Sequence, residues 1–334
     1  MKRRAQFLAI ALNASAPLSL ATLHESLTGS ILTALVLLPL GVSLYIFLKG
    51  GWPELGLYDV VKDSRLGNLQ LISWFASYFL YLSYTIDYAV FYDFPGGALV
   101  RYATLVLLLV MTSTLLLQRF QGILIPLAAL QVILVFFGWH ASFPGVSLPN
   151  FTDLLNSSLL LVCVTLIPYL KVERGSASII PLSLVTGLLF LTIGSFLETN
   201  NSDLYQGVSM LGLVALEAIA VGRVSKAMRI RGEWAVGAFL GTSLISLISP
   251  LTYYNLTIAP SVFLLYLSLL IAFVSMKLRG YFRLFSLVTA VVMGYGLYQS
   301  VVVGDPTQVL EIAVGFLLVV VFSLLLGTRW VRGS

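Results

Sequence analysis

From residue 5 to residue 327 the chain repeats one pattern: an apolar run of about 20 residues, then a brief polar interruption. Wound as a helix, a run of that length crosses the roughly 30 Å hydrocarbon core of a bilayer. Within hydrocarbon every backbone N–H and C=O must find a partner inside the protein, which leaves few ways to fold. The runs cover 5–23, 28–48, 68–92, 97–117, 120–140, 154–172, 179–197, 205–226, 235–250, 257–277, 283–303 and 308–327. They predict an all-α polytopic membrane protein with about twelve transmembrane helices and one transmembrane domain over 1–334. Only 10% of the residues are charged, against about 25% in a soluble domain. A single cysteine, Cys163, excludes a disulfide framework or a cysteine metal cluster within one chain. The two histidines, His24 and His140, are too few and too far apart to suggest a metal site, and no cofactor is implied.

The basic residues predict orientation. With the N-terminus inside, one face receives Lys2, Arg3, Arg4, Lys49, Lys62, Arg65, Arg119, Lys171, Arg174, Arg223, Lys226, Arg229, Arg231, Lys277, Arg279, Arg283, Arg329 and Arg332. Only Arg101 falls on the other face, which instead carries Glu25, Asp93, Asp153, Glu198, Asp203, Asp305 and Glu311. This is the positive-inside pattern. It predicts an integral plasma-membrane protein with both termini cytoplasmic, and it explains the net charge of +5 without a nucleic-acid partner. Three Asn-x-Ser/Thr sequons, at Asn150, Asn200 and Asn255, fall in the expected outer loops.

The first run contains "ALNASAPLSL", where Asn13, Ser15 and Pro17 interrupt an otherwise apolar stretch. One reading is a signal peptide, with basic residues, a short apolar core and an Ala-Ser-Ala cleavage pattern. Pro17 directly after the scissile bond argues against it, and the apolar "LSLATL" beyond completes a span. The favoured reading is a retained helix broken in the middle. Its second half would offer free N–H groups and a positive dipole end to a carboxylate, its first half free carbonyls to an ammonium. The plainer alternative is a proline kink in a packed helix. The sixth run, "SSLLLVCVTLIPYLKVERG", supplies a second candidate break with Thr165 and Pro168. The two runs lie five spans apart, and an odd number of spans inverts one half relative to the other.

Four stretches resemble the amino acid–polyamine–organocation (APC) transporter superfamily. "ALNASAPLSL" is similar to the unwound first helix, and "GWPELGLYDVVKDSRLGNLQLISWFASYFLYLSY" to the short amphipathic loop leading into an aromatic third helix. "YLKVERGSASIIPLSLVTG" resembles the passage from helix six to seven, and "GRVSKAMRIRG" the end of helix eight. The resemblance implies a 5+5 inverted repeat (1–140 and 154–277) followed by two extra C-terminal helices (283–327), with helices 1 and 6 broken. It implies a secondary transporter or exchanger of amino acids or related amines. Its substrate site would involve Asn13, Ala14, Ser15, Ala16 and Pro17 in the first break, with Leu161, Val162, Cys163 and Thr165 in the sixth helix. The sequence departs from the family in having no glycine at 161–163 and no Pro-Arg-x-Gly-Gly in the inner loop.

Glu217 sits near the middle of the eighth run, where a carboxylate costs about 2.5–3.5 kcal/mol on insertion scales. It should be neutral, paired or facing water, and it is the candidate for contacting a cationic substrate group or a coupled proton. A neutral glutamic acid bonding between helices is the plainer account. Tyr81, Tyr84 and Tyr88 share one helix face, and Tyr81 and Tyr84 are candidates for lining the substrate path, although such a stripe also suits simple packing. Asp87 reads as a vestibule residue near the outer interface. The fifth run has Gln131 and no lysine of the kind some proton-coupled relatives carry there. Two rival readings fit the sequence less well. Intramembrane proteolysis lacks a second facing aspartate or a membrane histidine, and a structural or channel-like subunit would leave Glu217 and the Asn13–Ser15 pair without a role.

Overall fold

The computed structural model describes residues 2–23, 25–93, 96–150, 154, 157–158, 161–170, 172 and 176–326. The expected basic residues Lys171, Arg174, Arg329 and Arg332, together with His24 and Asp153, lie outside the described residues.

Some helices begin where the sequence supplies a cap or a proline. The first run forms α1 (Lys2–Ala14) and α2 (Pro17–Ala21), and Pro17 takes the first turn of α2 because that position needs no amide hydrogen. Ser26 caps α3 (Leu27–Lys49) by accepting from the Gly29 amide at 3.0 Å. A one-turn helix α4 (Tyr58–Val61) leads into α5 (Gly67–Tyr88), which continues as a π-helix over Ala89–Asp93. Next come α6 (Ala98–Leu116), α7 (Leu124–Leu134) and strand β1 (Trp139–Ala141). The second half holds α8 (Ile179–Gly194), strand β2 (Leu197–Thr199), α9 (Ser202–Ala227) and α10 (Gly232–Ser246). The chain continues with α11 (Pro250–Ser275), α12 (Phe282–Val302) and α13 (Pro306–Leu326). Before α13, the Asp305 carboxylate accepts from the Gln308 amide at 2.8 Å.

The protein is thus helical and membrane-embedded. Among the described residues six helices are long and apolar enough to cross a bilayer: α3, α6, α9, α11, α12 and α13. Others fall short. The 11 residues of α7 rise only about 16 Å and the 15 of α10 about 22 Å. The fifth run was expected to stay helical to residue 140. Instead Gly138 adopts φ +71° and the chain turns into β1, which pairs antiparallel with β2 through Trp139–Thr199, His140–Glu198 and Ala141–Leu197. This ribbon also shortens the seventh run, expected to reach 197. The expected loop at 250–257 is helical, because Pro250 starts α11, so the sequon at Asn255 lies on a helix.

Helix α9 is the central post: 83% of its apolar window is buried, against 11% for α13, which faces lipid. Around it stand α1, α2, α5, α6, α7 and the sixth segment. Tyr84 and Tyr88 of α5 both meet the ring of Tyr254 on α11, at 5.5 and 5.3 Å between centroids.

Candidate functional site

The first break falls at Ser15 and Ala16. A proline disfavours helical geometry in the residue before it, and Ala16 adopts φ 42°, ψ 59°, a left-handed conformation costly for a residue with a Cβ. The amides of Ser15 and Ala16 turn back to the carbonyls of Leu12 (3.1 Å) and Asn13 (3.3 Å). That withdraws from the Ala11 carbonyl the amide four residues on. The Ser183 hydroxyl of α8 takes its place at 2.8 Å, while the Ser15 hydroxyl donates to the Leu12 carbonyl. Ala14, Ser15, Ala16 and Pro17 are all buried.

Asn13 is committed to bracing. Its side-chain amide donates to the carbonyls of Ala9 and Leu124, both at 2.9 Å. Its side-chain carbonyl accepts from Gln131 Nε2 at 2.8 Å, and Gln131 Oε1 accepts from the Ser209 hydroxyl at 3.1 Å. The break is thereby tied to α7 and α9. A Cβ at Gly212 would come within 2.1 Å of Asn13 Oδ1, so only glycine lets α9 approach this closely.

In the sixth run, Leu161 and Val162 are helical and Cys163–Tyr169 form a 3₁₀ segment containing Pro168. Seven residues exceeds the usual 3–4 of such a segment, which inside a longer run often marks a hinge. Leu161, Val162, Cys163 and Thr165 are buried. The first break and the helical turn just before the 3₁₀ segment both pack on Gly187 of α8, where an added Cβ would lie 2.3 Å from Leu161 Cδ2 and 3.1 Å from Ser15 Cβ.

Glu217 is fully buried on α9, and neither carboxyl oxygen has a hydrogen-bond partner among the described residues. It lies within electrostatic reach of Tyr78, Tyr81 and Tyr84 of α5 and of Cys163. The tyrosines form a ladder, 6.3 Å from Tyr78 to Tyr81 and 4.7 Å from Tyr81 to Tyr84 between centroids. The Tyr78 and Thr165 hydroxyls share a hydrogen bond of 3.3 Å, joining α5 to the sixth segment. The structure therefore brings Tyr81, Tyr84, Cys163, Thr165 and Glu217 to one buried centre. Asn13 and Ser15 have their polar groups engaged elsewhere. Tyr78 escaped the sequence reading although it lies three residues before Tyr81 on the same helix. Tyr88 instead stacks near Tyr92, 5.2 Å away.

Towards the end of the bundle carrying Arg223, the centre is closed by a latch. Trp74 stacks on Tyr169 at 3.9 Å, and Gln70 donates to the Tyr169 hydroxyl at 3.2 Å. Trp52 Nε1 donates to the Leu170 carbonyl at 2.8 Å. Arg223 donates to the carbonyls of Tyr169 (3.0 Å) and Glu54 (2.7 Å). Burial of Tyr58, aided by Asp59 and Asp63, raises its phenol above the ordinary value beside this latch.

A carboxyl beside an aromatic ladder suits an organic cation, through ion pairing and the negative faces of the rings. Among the described residues no three His, Cys, Asp or Glu side chains are grouped to hold a metal ion. No protein-family model matches the chain, and no curated protein matches it in sequence.

Proposed function

We propose that the chain is a secondary active transporter or exchanger of amino acids or related amines, resembling the APC superfamily. It works by alternating access around a mid-membrane site between the broken first and sixth helices. The observation that carries this reading is Glu217: a fully buried carboxyl with no hydrogen-bond partner among the described residues, facing three tyrosines and Cys163. An unpaired carboxyl within a membrane is costly, and such groups mark substrate or proton paths. An amine substrate or a coupled proton would supply the missing partner. The proposal includes twelve spans arranged as an inverted 5+5 repeat plus two, with the short helices completing their spans through adjoining irregular segments. Both termini are cytoplasmic in a plasma membrane. The latch around Tyr169 and Arg223 would be the gate that opens towards the cytoplasm.

Counterflow in proteoliposomes loaded with mixed amino acids and amines tests the reading, with labelled substrates offered one at a time. Wild type takes up at least one cationic or zwitterionic substrate saturably, and Glu217→Gln loses that uptake while eluting as a folded monodisperse protein. Absence of uptake of every candidate by well-folded wild type would overturn it in favour of a structural subunit. Full activity in Glu217→Gln would remove this carboxyl from the site.

A further inference from the structure

A second carboxyl is buried as bare as Glu217, on α5 itself. Asp87, expected in an outer vestibule, is 1% exposed, and neither of its carboxylate oxygens is hydrogen-bonded. Its neighbours come from three helices. Ser246 of α10 is closest in kind, but its hydroxyl turns to the Ser243 carbonyl. Tyr253 of α11 lies within electrostatic reach, and its hydroxyl also lacks a partner. Beside Tyr253, the hydroxyls of Ser83 and Thr242 bond each other at 3.2 Å. Ser243, one turn before Ser246, is 1% exposed and its hydroxyl is unpartnered as well. No basic side chain acts on Asp87 among the described residues, and neither does Glu217.

The place is therefore rich in oxygen and poor in committed donors. Two nearby hydroxyls, those of Ser246 and Tyr253, could have donated to the carboxylate, yet both leave it bare. Oxygens facing oxygens around one negative charge is the environment of a bound cation. One carboxylate balances one positive charge, whereas calcium sites gather 6–8 oxygens, several of them carboxylate. The donors are all hard oxygens, with none of the nitrogen or sulfur ligands that select transition metals.

We propose that Asp87, with Ser246, Tyr253 and the hydroxyls beside them, binds a sodium ion at a site separate from Glu217. The ion sits between α5, α10 and α11 and neutralises the carboxylate there. It ties α5, whose tyrosines face Glu217, to α10 and α11.

Direct binding of radioactive sodium to the purified full-length protein in nanodiscs, in choline chloride, tests this. Wild type binds sodium saturably, with potassium competing more weakly. Asp87→Asn loses the binding, Ser246→Ala weakens it several-fold, and Glu217→Gln binds as wild type does. No saturable binding by wild type overturns the proposal, as does undiminished binding by Asp87→Asn. Loss in Glu217→Gln with retention in Asp87→Asn would move the ion to the other carboxyl and also overturn it. Should Asp87→Asn fail to fold, Ser246→Ala decides: sodium affinity equal to wild type in that variant overturns the assignment. Glu217 can fail the uptake test without affecting this one.

Discussion

Replacing Asn13 with alanine tests how the first break is held. The side chain makes three hydrogen bonds, but they are not equal. The carbonyls of Ala9 and Leu124 lie within helices and keep a backbone partner when the asparagine amide is removed. Gln131 Nε2 does not, because Asn13 Oδ1 is the acceptor it uses and the residue is fully buried. Orphaning one buried polar group costs about 1–3 kcal/mol. Interhelical hydrogen bonds measured inside membranes average about 0.6 kcal/mol and reach about 1.7. Asn13→Ala should therefore lose roughly 1–3 kcal/mol of stability. Gln131→Ala should lose a similar amount, since it leaves Asn13 Oδ1 and Ser209 unsatisfied. The double variant should lose less than the sum by about 0.6–1.7 kcal/mol, because the second deletion removes the group orphaned by the first. Reversible unfolding in mixed detergent micelles, followed by tryptophan fluorescence, measures all four corners of the cycle. Additivity within about 0.3 kcal/mol would refute the coupling, and an Asn13→Ala variant as stable as wild type would refute the bracing role itself.

Further expectations follow from close contacts and from the latch. Gly194→Val should destabilise by about 1–3 kcal/mol as an overpacked position, since a Cβ there would lie 2.3 Å from the Ala21 carbonyl oxygen and 2.7 Å from its Cα; thermal melting of the detergent-purified protein measures it. Arg223→Ala removes two donated hydrogen bonds at the latch. Discounted for partial exposure, this is worth about 1–2 kcal/mol, hence a 5–30-fold greater open population. Cys163, the one cysteine of the chain, reports it: its maleimide labelling rate should rise by that factor, and an unchanged rate would separate the latch from access to the site. Glu217→Gln should abolish counterflow without loss of fold, and Asp87→Asn should abolish sodium binding, as set out above.

The sequence revealed what depends on local chemistry and concealed what depends on neighbours. The break at Ser15–Ala16 was legible because Pro17 disfavours helical geometry in the preceding residue, whatever surrounds it. Glu217 was legible because a carboxyl within an apolar run is an anomaly in any membrane fold. Gln131, by contrast, drew notice only for not being lysine. Its partner Asn13 lies 118 residues away, and nothing within either run announces the pairing. Asp87 was misjudged for a related reason. Its place near the end of a run suggested water, but α10 and α11, more than 140 residues on, cover it. Span ends were the least legible, since the β1–β2 ribbon that stops two helices early joins segments about 58 residues apart through backbone bonds.

The way this molecule treats its other buried polar groups gives the two bare carboxyls their meaning. Where the first helix breaks, the Ala11 carbonyl receives the Ser183 hydroxyl. The Asn13 amide finds carbonyls in two helices, and Gln131 finds Asn13 and Ser209. At the latch, carbonyls left at the end of the sixth segment are met by Trp52 and Arg223. Even a weak hydroxyl such as Thr165 is engaged. At the first break and at the latch the fold has helices enough, and side chains long enough, to satisfy groups whose orphaning costs about 1–3 kcal/mol each. A carboxyl is more costly to bury bare than a hydroxyl, and at these two places both of its oxygens lack a hydrogen-bond partner among the described residues. Glu217 and Asp87 stand on neighbouring helices, α9 and α5, on which Ser225, Ser73 and Trp74 also leave a buried polar atom unpartnered, but each leaves both oxygens of a carboxyl bare where the protein could have encoded one lysine or arginine. A permanent cation at either place would have filled the site and fixed the helices around it. A carboxyl without one is stable as the neutral acid or with an exchangeable partner, an amine or a metal ion, and exchange at these two places is what the proposed transport reading requires.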